Sequence, residues 1–176
     1  MQAFVALLRA VNVGGTGALP MTELKAMCEK AGFKQVKTYI ASGNVVFQSA
    51  KTEAQVKATL EATLEKYAGK PVGVMVRTAA EMAEVAAKNP FARMPGNRVS
   101  AFFLDKTPPA DALTMVAGKA NEELRLGARE IYGYYPEGMG QSKLRIPAAK
   151  NGTARNMNTV AKLAEMAGAL AQSDSR

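Results

Sequence analysis

The stretch Val36-Lys-Thr-Tyr-Ile-Ala-Ser-Gly-Asn-Val-Val-Phe47 decides the first half of the fold. Two apolar runs, Val36 to Ile40 and Val45 to Phe47, flank the small, turn-competent residues Ser42-Gly43-Asn44. That pattern predicts a hairpin, with Gly43 supplying a positive φ. Moving toward the N-terminus, Leu24, Met27, Cys28 and Ala31 recur at helical spacing after Pro20, and Gly32 stops them, so a short amphipathic helix precedes the hairpin. Before it, the apolar run Ala3 to Val13 reads as a buried strand, halted by Gly14, Gly15 and Gly17. Moving toward the C-terminus, Thr52 and Gln55 form a capping box that opens a helix with Val56, Leu60, Leu64 and Tyr67 on one face, and Gly69 ends it. Val72 to Val76 is then a strand returning to the first sheet. Thr78 and Glu81 make a second capping box for a helix through Met82, Val85 and Ala86, which stops before Asn89-Pro90. The order is β-α-β-β-α-β-α.

The second half repeats that order with weaker signals. Val99 to Leu104 reads as a strand, and Thr107 as the cap of a helix with Pro108 and Pro109 in its first turn and Leu113, Val116 and Ala117 inward. Glu123 to Leu126 and Glu130 to Tyr135 read as paired strands with Gly127 near the bend. Ser142 to Ala149 is expected as a short helix interrupted by Pro147, Asn151 to Arg155 as an edge strand, and Asn158 to Ala171 as a final helix with Val160, Leu163, Ala167 and Leu170 on one face. The expected class is α+β, a duplicated ferredoxin-like (β-α-β-β-α-β) architecture with helices over one face of each antiparallel sheet. Subdomain one is residues 1–88 and subdomain two residues 98–171, with periodicity broken between Asn89 and Asn97. Because the halves share negligible identity, a single larger α+β sheet gives the same string.

The 176 residues contain no histidine and one cysteine, Cys28, which excludes histidine triads, histidine-held zinc or haem, and an intramolecular disulfide. Carboxylates, lysines, hydroxyls and tyrosines remain for acid–base work. A net charge of +8 favours anionic partners: nucleic acid, phosphorylated small molecules or membrane headgroups. No run approaches the roughly 18 apolar residues of a membrane span, and the first fifteen residues lack a basic leader and a small-residue cleavage site. A soluble cytoplasmic protein is expected, with Cys28 packed in the core of a reduced chain.

The loop Asn12-Val-Gly-Gly-Thr-Gly17 lies between a strand and a helix, where backbone N–H groups can face an anion. It lacks the Gly-Lys-Ser/Thr end of a P-loop, and Pro20 falls where G-x-G-x-x-G needs its third glycine. The plainer reading is a turn that lets the first strand meet the first helix. From Gly138 to Ala164 the chain carries Lys143, Arg145, Lys150, Arg155 and Lys162 and no acid. On a helix, Arg155, Thr159 and Lys162 share a face suited to a phosphate or carboxylate, or simply to solvent. Glu122 and Glu123 point to opposite faces of a strand, and Glu81 and Glu84 lie on an exposed helical stripe, so no catalytic pair emerges. Metal-ligand spacings are absent, no cofactor is implied, and the RNA-binding aromatic pattern is missing from the central strands. The ten methionines read mostly as packing, as do Tyr132, Tyr134 and Tyr135, with base stacking the lesser reading for the tyrosines.

Five segments carry a family resemblance: Leu7-Leu-Arg-Ala-Val-Asn-Val-Gly-Gly15, Tyr39-Ile-Ala-Ser-Gly-Asn-Val-Val-Phe47, Asn89-Pro-Phe91, Ser142-Lys-Leu144 and Thr153-Ala-Arg-Asn-Met-Asn-Thr-Val-Ala-Lys-Leu163. They resemble the signatures of the bacterial family called domain of unknown function 1697, over nearly the whole chain, residues 1–171. The resemblance implies two ferredoxin-like subdomains and assigns no activity, substrate or catalytic residue. One departure is Met157, where the family often has tryptophan; if that aromatic contacts a ligand or partner, this chain lacks the contact. The candidate site is Arg9, Asn12, Gly14, Gly15, Ser42, Asn44, Lys143, Arg155, Asn156, Thr159 and Lys162, which form one cationic groove if the first strand approaches the final helix. The expected function is binding of an anionic partner, nucleic acid first and a phosphorylated metabolite second. The alternatives are an enzyme on a small phosphorylated or carboxylated substrate, and a structural or oligomerisation module.

Overall fold

The computed structural model of the chain describes residues 1–12 and 18–174. Among these residues the fold is α+β, with two four-stranded antiparallel sheets and four helices. By contacts the chain divides into two compact units, Met1–Ala83 with Leu163–Arg176, and Glu84–Lys162.

In the first unit β1 (Gln2–Leu8), β2 (Lys34–Thr38), β3 (Asn44–Ser49) and β4 (Val74–Thr78) form a sheet in the order β2-β3-β1-β4. Strands β2 and β3 are the expected hairpin, and Gly43 has φ +90°. A Cβ there would lie 2.6 Å from Val11 Cγ2 and 2.9 Å from Leu8 Cβ, so both backbone angle and space demand glycine. β1 ends at Leu8 rather than running toward Val13, because Ala10 and Asn12 take φ of 55°, a left-handed conformation no strand tolerates.

Helices α1 (Met21–Lys30) and α2 (Glu53–Ala68) bury Leu24, Cys28, Val56, Leu60 and Leu64 in one core with Phe4, Ala6, Leu8, Val45 and Phe47. The Phe33 and Phe47 rings stack at 4.3 Å within it. Both halves of the Thr52–Gln55 capping box are present, and Gly69 closes α2 in the left-handed conformation. Ala3, Val5 and Leu7 on the opposite face of β1 are equally buried. Over that second face lies the end of α4 (Met157–Asp174), where the buried Gln48 amide donates to the Leu170 carbonyl at 3.0 Å.

The second capping box also forms: Thr78 N–H donates to Glu81 at 2.9 Å, and Glu81 N–H to Thr78 at 3.1 Å, at the start of α3 (Ala79–Ala87). The second unit contains β5 (Val99–Phe103), β6 (Glu123–Leu126), β7 (Glu130–Tyr134) and β8 (Thr153–Asn156), in the order β6-β7-β5-β8. Position for position, this repeats the order of the first sheet.

Two expected helices in this unit do not form. The segment after Thr107 makes only a single 3-10 turn at Ala112–Thr114, and Ser142 to Ala149 only one at Pro147–Ala149. Instead Ala117 and Arg145 pair as an antiparallel bridge, exchanging N–H···O bonds of 3.0 and 2.8 Å. A helix of about ten residues with two prolines has few hydrogen bonds to offset its nucleation cost, so a tertiary bridge at its end outweighs it. These turns cover the small core of Leu104, Ala112, Leu124 and Ile131. On the other face, the Tyr132 hydroxyl donates to the Val85 carbonyl at 2.9 Å, anchoring the end of α3.

Candidate functional site

Four sequence candidates of the first unit gather at one end of its sheet. Leu8 N–H donates to the Gly43 carbonyl and Arg9 N–H to the Gly73 carbonyl, both at 2.8 Å, so the end of β1 is tied to the hairpin turn and to the approach to β4. Asn12 is exposed, yet its side chain is engaged three ways: Nδ2 donates to the Leu19 and Ala41 carbonyls at 2.8 Å, and Oδ1 accepts from Leu19 N–H at 2.6 Å. Asn44 is fully buried and donates to the Tyr39 carbonyl and to Ser42 Oγ. Asn12, Ser42 and Asn44 therefore brace the backbone around Arg9. Gly14 and Gly15 lie outside the described residues.

Beside this brace is a cavity of about 430 Å³, bordered by Arg9, Val11, Leu19, Tyr67, Lys70 and Gly73 among others. Among the described residues its lining includes two cations and an aromatic ring and no acid. The C-terminus of α2 builds one wall: Gly69 turns the chain in the left-handed conformation, and Lys70 follows at the cavity while Tyr67 remains 48% exposed. Tyr67 also borders a second depression, about 530 Å³, between α1 and α2, with Lys30, Lys51, Thr59, Thr63 and Lys66. Sequence reading missed Lys30, Lys51, Lys66, Tyr67 and Lys70. The available signal was the absence of an acid four positions before Lys30 and Lys66, where Ala26 and Ala62 stand. The thiol of Cys28, pushed up to about 12 by burial and then by the Glu29 charge, is no nucleophile at neutral pH.

The remaining candidates belong to the second unit. Arg155 is a residue of β8, not of the helix, so the helical face shared with Thr159 and Lys162 does not exist. Its guanidinium is buried and donates to Thr153 Oγ1 at 2.7 Å and to the Ala154 carbonyl at 2.9 Å, and burial pulls its pKa down to about 10. Asn156 Oδ1 accepts from Thr159 N–H at 3.0 Å, capping α4, and Thr159 is itself buried. Lys143 and Lys162 are exposed.

Lys143 borders a smaller cavity of about 160 Å³ with Glu122, Tyr135 and Ser142. Glu122 accepts from Ser142 Oγ and from Ala120 N–H, and those bonds hold its carboxyl below the usual range. Burial, then the Glu122 charge, pushes Tyr135 up to about 12. At neutral pH that carboxylate therefore stays ionised and the phenol protonated. Among the described residues no three potential metal ligands cluster, and no helix is long and apolar enough to cross a membrane.

The family model described as "Protein of unknown function (DUF1697)" matches residues 1–132, well over half of the chain. A solved structure, that of the conserved bacterial protein SP0830 from Streptococcus pneumoniae, superposes with a TM-score of 0.76 at 22% identity, covering 94% of this chain and 98% of that one. At that identity the likeness concerns the fold alone. No curated protein matches the chain.

Proposed function

The chain belongs to the DUF1697 family, and from that premise we propose that it binds a phosphorylated ligand in the cavity of the first unit, with nucleotides as the chemical class. The observation that carries this reading is the lining: Arg9 and Lys70 with the half-exposed Tyr67 and, among the described residues, no acid, in about 430 Å³. Two cations suit a phosphate, a tyrosine face suits a planar base, and the volume falls in the range of small-molecule sites. Asn12, Ser42 and Asn44 position Arg9 rather than touch the ligand. In the second unit, Arg155, Asn156 and Thr159 join strand to helix, while Lys143 and Lys162 add to a positive field. The shared strand order supports reading the two sheets as a duplicated ferredoxin-like fold.

A thermal-shift series with inorganic phosphate, ribose 5-phosphate and mononucleotides tests the reading. A nucleotide at a hundred times its dissociation constant adds about 2.7 kcal/mol of stability. The shift is expected to vanish in Arg9→Ala and Lys70→Ala, and Tyr67→Ala is expected to bring nucleotides down to the level of ribose 5-phosphate. Absence of a shift with every phosphorylated compound overturns the proposal.

A further inference from the structure

We propose that the natural nucleotide ligand of the first unit is a single-stranded nucleic acid, whose chain continues from the cavity past Tyr67 into the groove between α1 and α2. This rests on the nucleotide reading above and extends it from one residue of ligand to several. Tyr67 borders both the cavity and the groove, so the two are neighbours on one surface with an aromatic ring between them. The groove lining holds Lys30, Lys51 and Lys66 and no acid.

These lysines differ from an ordinary solvated helix face. Lys57, on the same helix as Lys66, is paired with Glu61 at 2.7 Å in the usual i, i+4 manner. Lys30, Lys66 and Lys70 are exposed and make no ion pair among the described residues. Lys51 Nζ donates to Thr59 Oγ1 at 3.3 Å, which fixes that ammonium against α2. Thr59, Thr63, Lys66 and Tyr67 recur at helical spacing along one side of α2 and line the groove together.

Thr59 and Lys66 are seven residues apart, about 10 Å along a helix, so the groove is long enough to follow more than one phosphate of an extended strand. A positive groove with an aromatic platform is the recurring arrangement for single strands, because a splayed base stacks on the ring while the backbone follows the cations. The groove lies between two helices, and Met27 and Ala31 give it an apolar wall on the α1 side, against which an unpaired base can pack while a duplex keeps its bases stacked inside.

The test measures a fluorescein-labelled dT10 by fluorescence polarisation across a salt series, and dTMP by thermal shift on the same preparations. The expected result is dT10 binding about tenfold or more tighter than dTMP, with a log–log salt slope of about −3 from four phosphate contacts. Lys30→Gln/Lys66→Gln is expected to reduce that slope by about 1.4 and to leave the dTMP shift and the ligand-free melting temperature unchanged. Lys57→Gln, whose ammonium pairs with Glu61 outside the groove lining, is expected to leave the salt slope and the dTMP shift unchanged. If dT10 binds no tighter than dTMP while the dTMP shift persists, the track is overturned and the cavity reading survives. If neither binds, both fall. Equal binding of a ten-base-pair duplex or of phosphatidylserine vesicles, lost in the same double variant, overturns single-strand recognition.

Discussion

The Asn12 side chain and the Leu19 backbone hold each other reciprocally, Nδ2 donating to the carbonyl at 2.8 Å and Oδ1 accepting the N–H at 2.6 Å. This clasp joins residues seven apart, and a third bond, to the Ala41 carbonyl, links it to the hairpin turn. Asn12 thus belongs to the architecture of the site. Asn12→Ala is expected to lower stability by about 1–3 kcal/mol, since three bonds are lost and a half-buried amide and carbonyl lose partners. Urea titration monitored by circular dichroism measures it. Unchanged stability with lost ligand binding would instead place Asn12 in contact with the ligand.

Gly43 and Gly32 both have positive φ, but only Gly43 is crowded. Gly43→Ala is expected to cost more than 2 kcal/mol, because a left-handed alanine would also drive its methyl into Val11 and Leu8. Gly32→Ala meets nothing within 4 Å and is expected to cost about 1 kcal/mol, the conformational penalty alone. Comparing the two melting temperatures separates backbone strain from steric overlap.

Arg155→Ala is expected to destabilise by about 2–4 kcal/mol, because Thr153 Oγ1 and the Ala154 carbonyl lose a buried donor. The nucleotide shift, read as the increase over the variant's own ligand-free melting temperature, is expected to persist. Loss of that increase would return Arg155 to the binding residues.

Cys28, Tyr132 and Tyr135 each have a pKa raised to about 12, chiefly by burial. The folded state keeps these protons after the unfolded chain has lost them, so their stabilising effect is complete below the unfolded values and fades as pH rises from about 9 toward 12. Arg155, pulled down to about 10, acts with the opposite sign in the upper part of that window, and three groups against one leave a net fall. Absorbance at 295 nm is expected to show two of the five tyrosines ionising about two pH units after the ordinary value, or together with alkaline unfolding. Alkylation of Cys28 at pH 8 is expected to proceed only at the rate of unfolding.

The sequence by itself determined those features whose partners lie within about four residues. Both capping boxes, the hairpin at Gly43 and the stops at Gly32 and Gly69 are local hydrogen-bonding and φ requirements written in adjacent side chains. Histidine's absence was equally final, since no fold can supply a side chain the chain lacks. Tertiary structure decided the rest. The segments around Ala117 and Arg145 carried a helical pattern, yet pairing with each other 28 residues apart held them extended. Gln48 gave no local sign of its bond to Leu170, 122 residues away. The charge-rich run from Lys143 to Lys162 drew attention because it is contiguous, whereas Arg9, Lys30, Lys66, Tyr67 and Lys70 are spread along the chain. Only the packing of α1 and α2 on the sheet sets these last residues around two adjoining depressions. A binding surface is a matter of distance in space, and the hydrophobic burial that creates such distances acts between residues far apart in sequence.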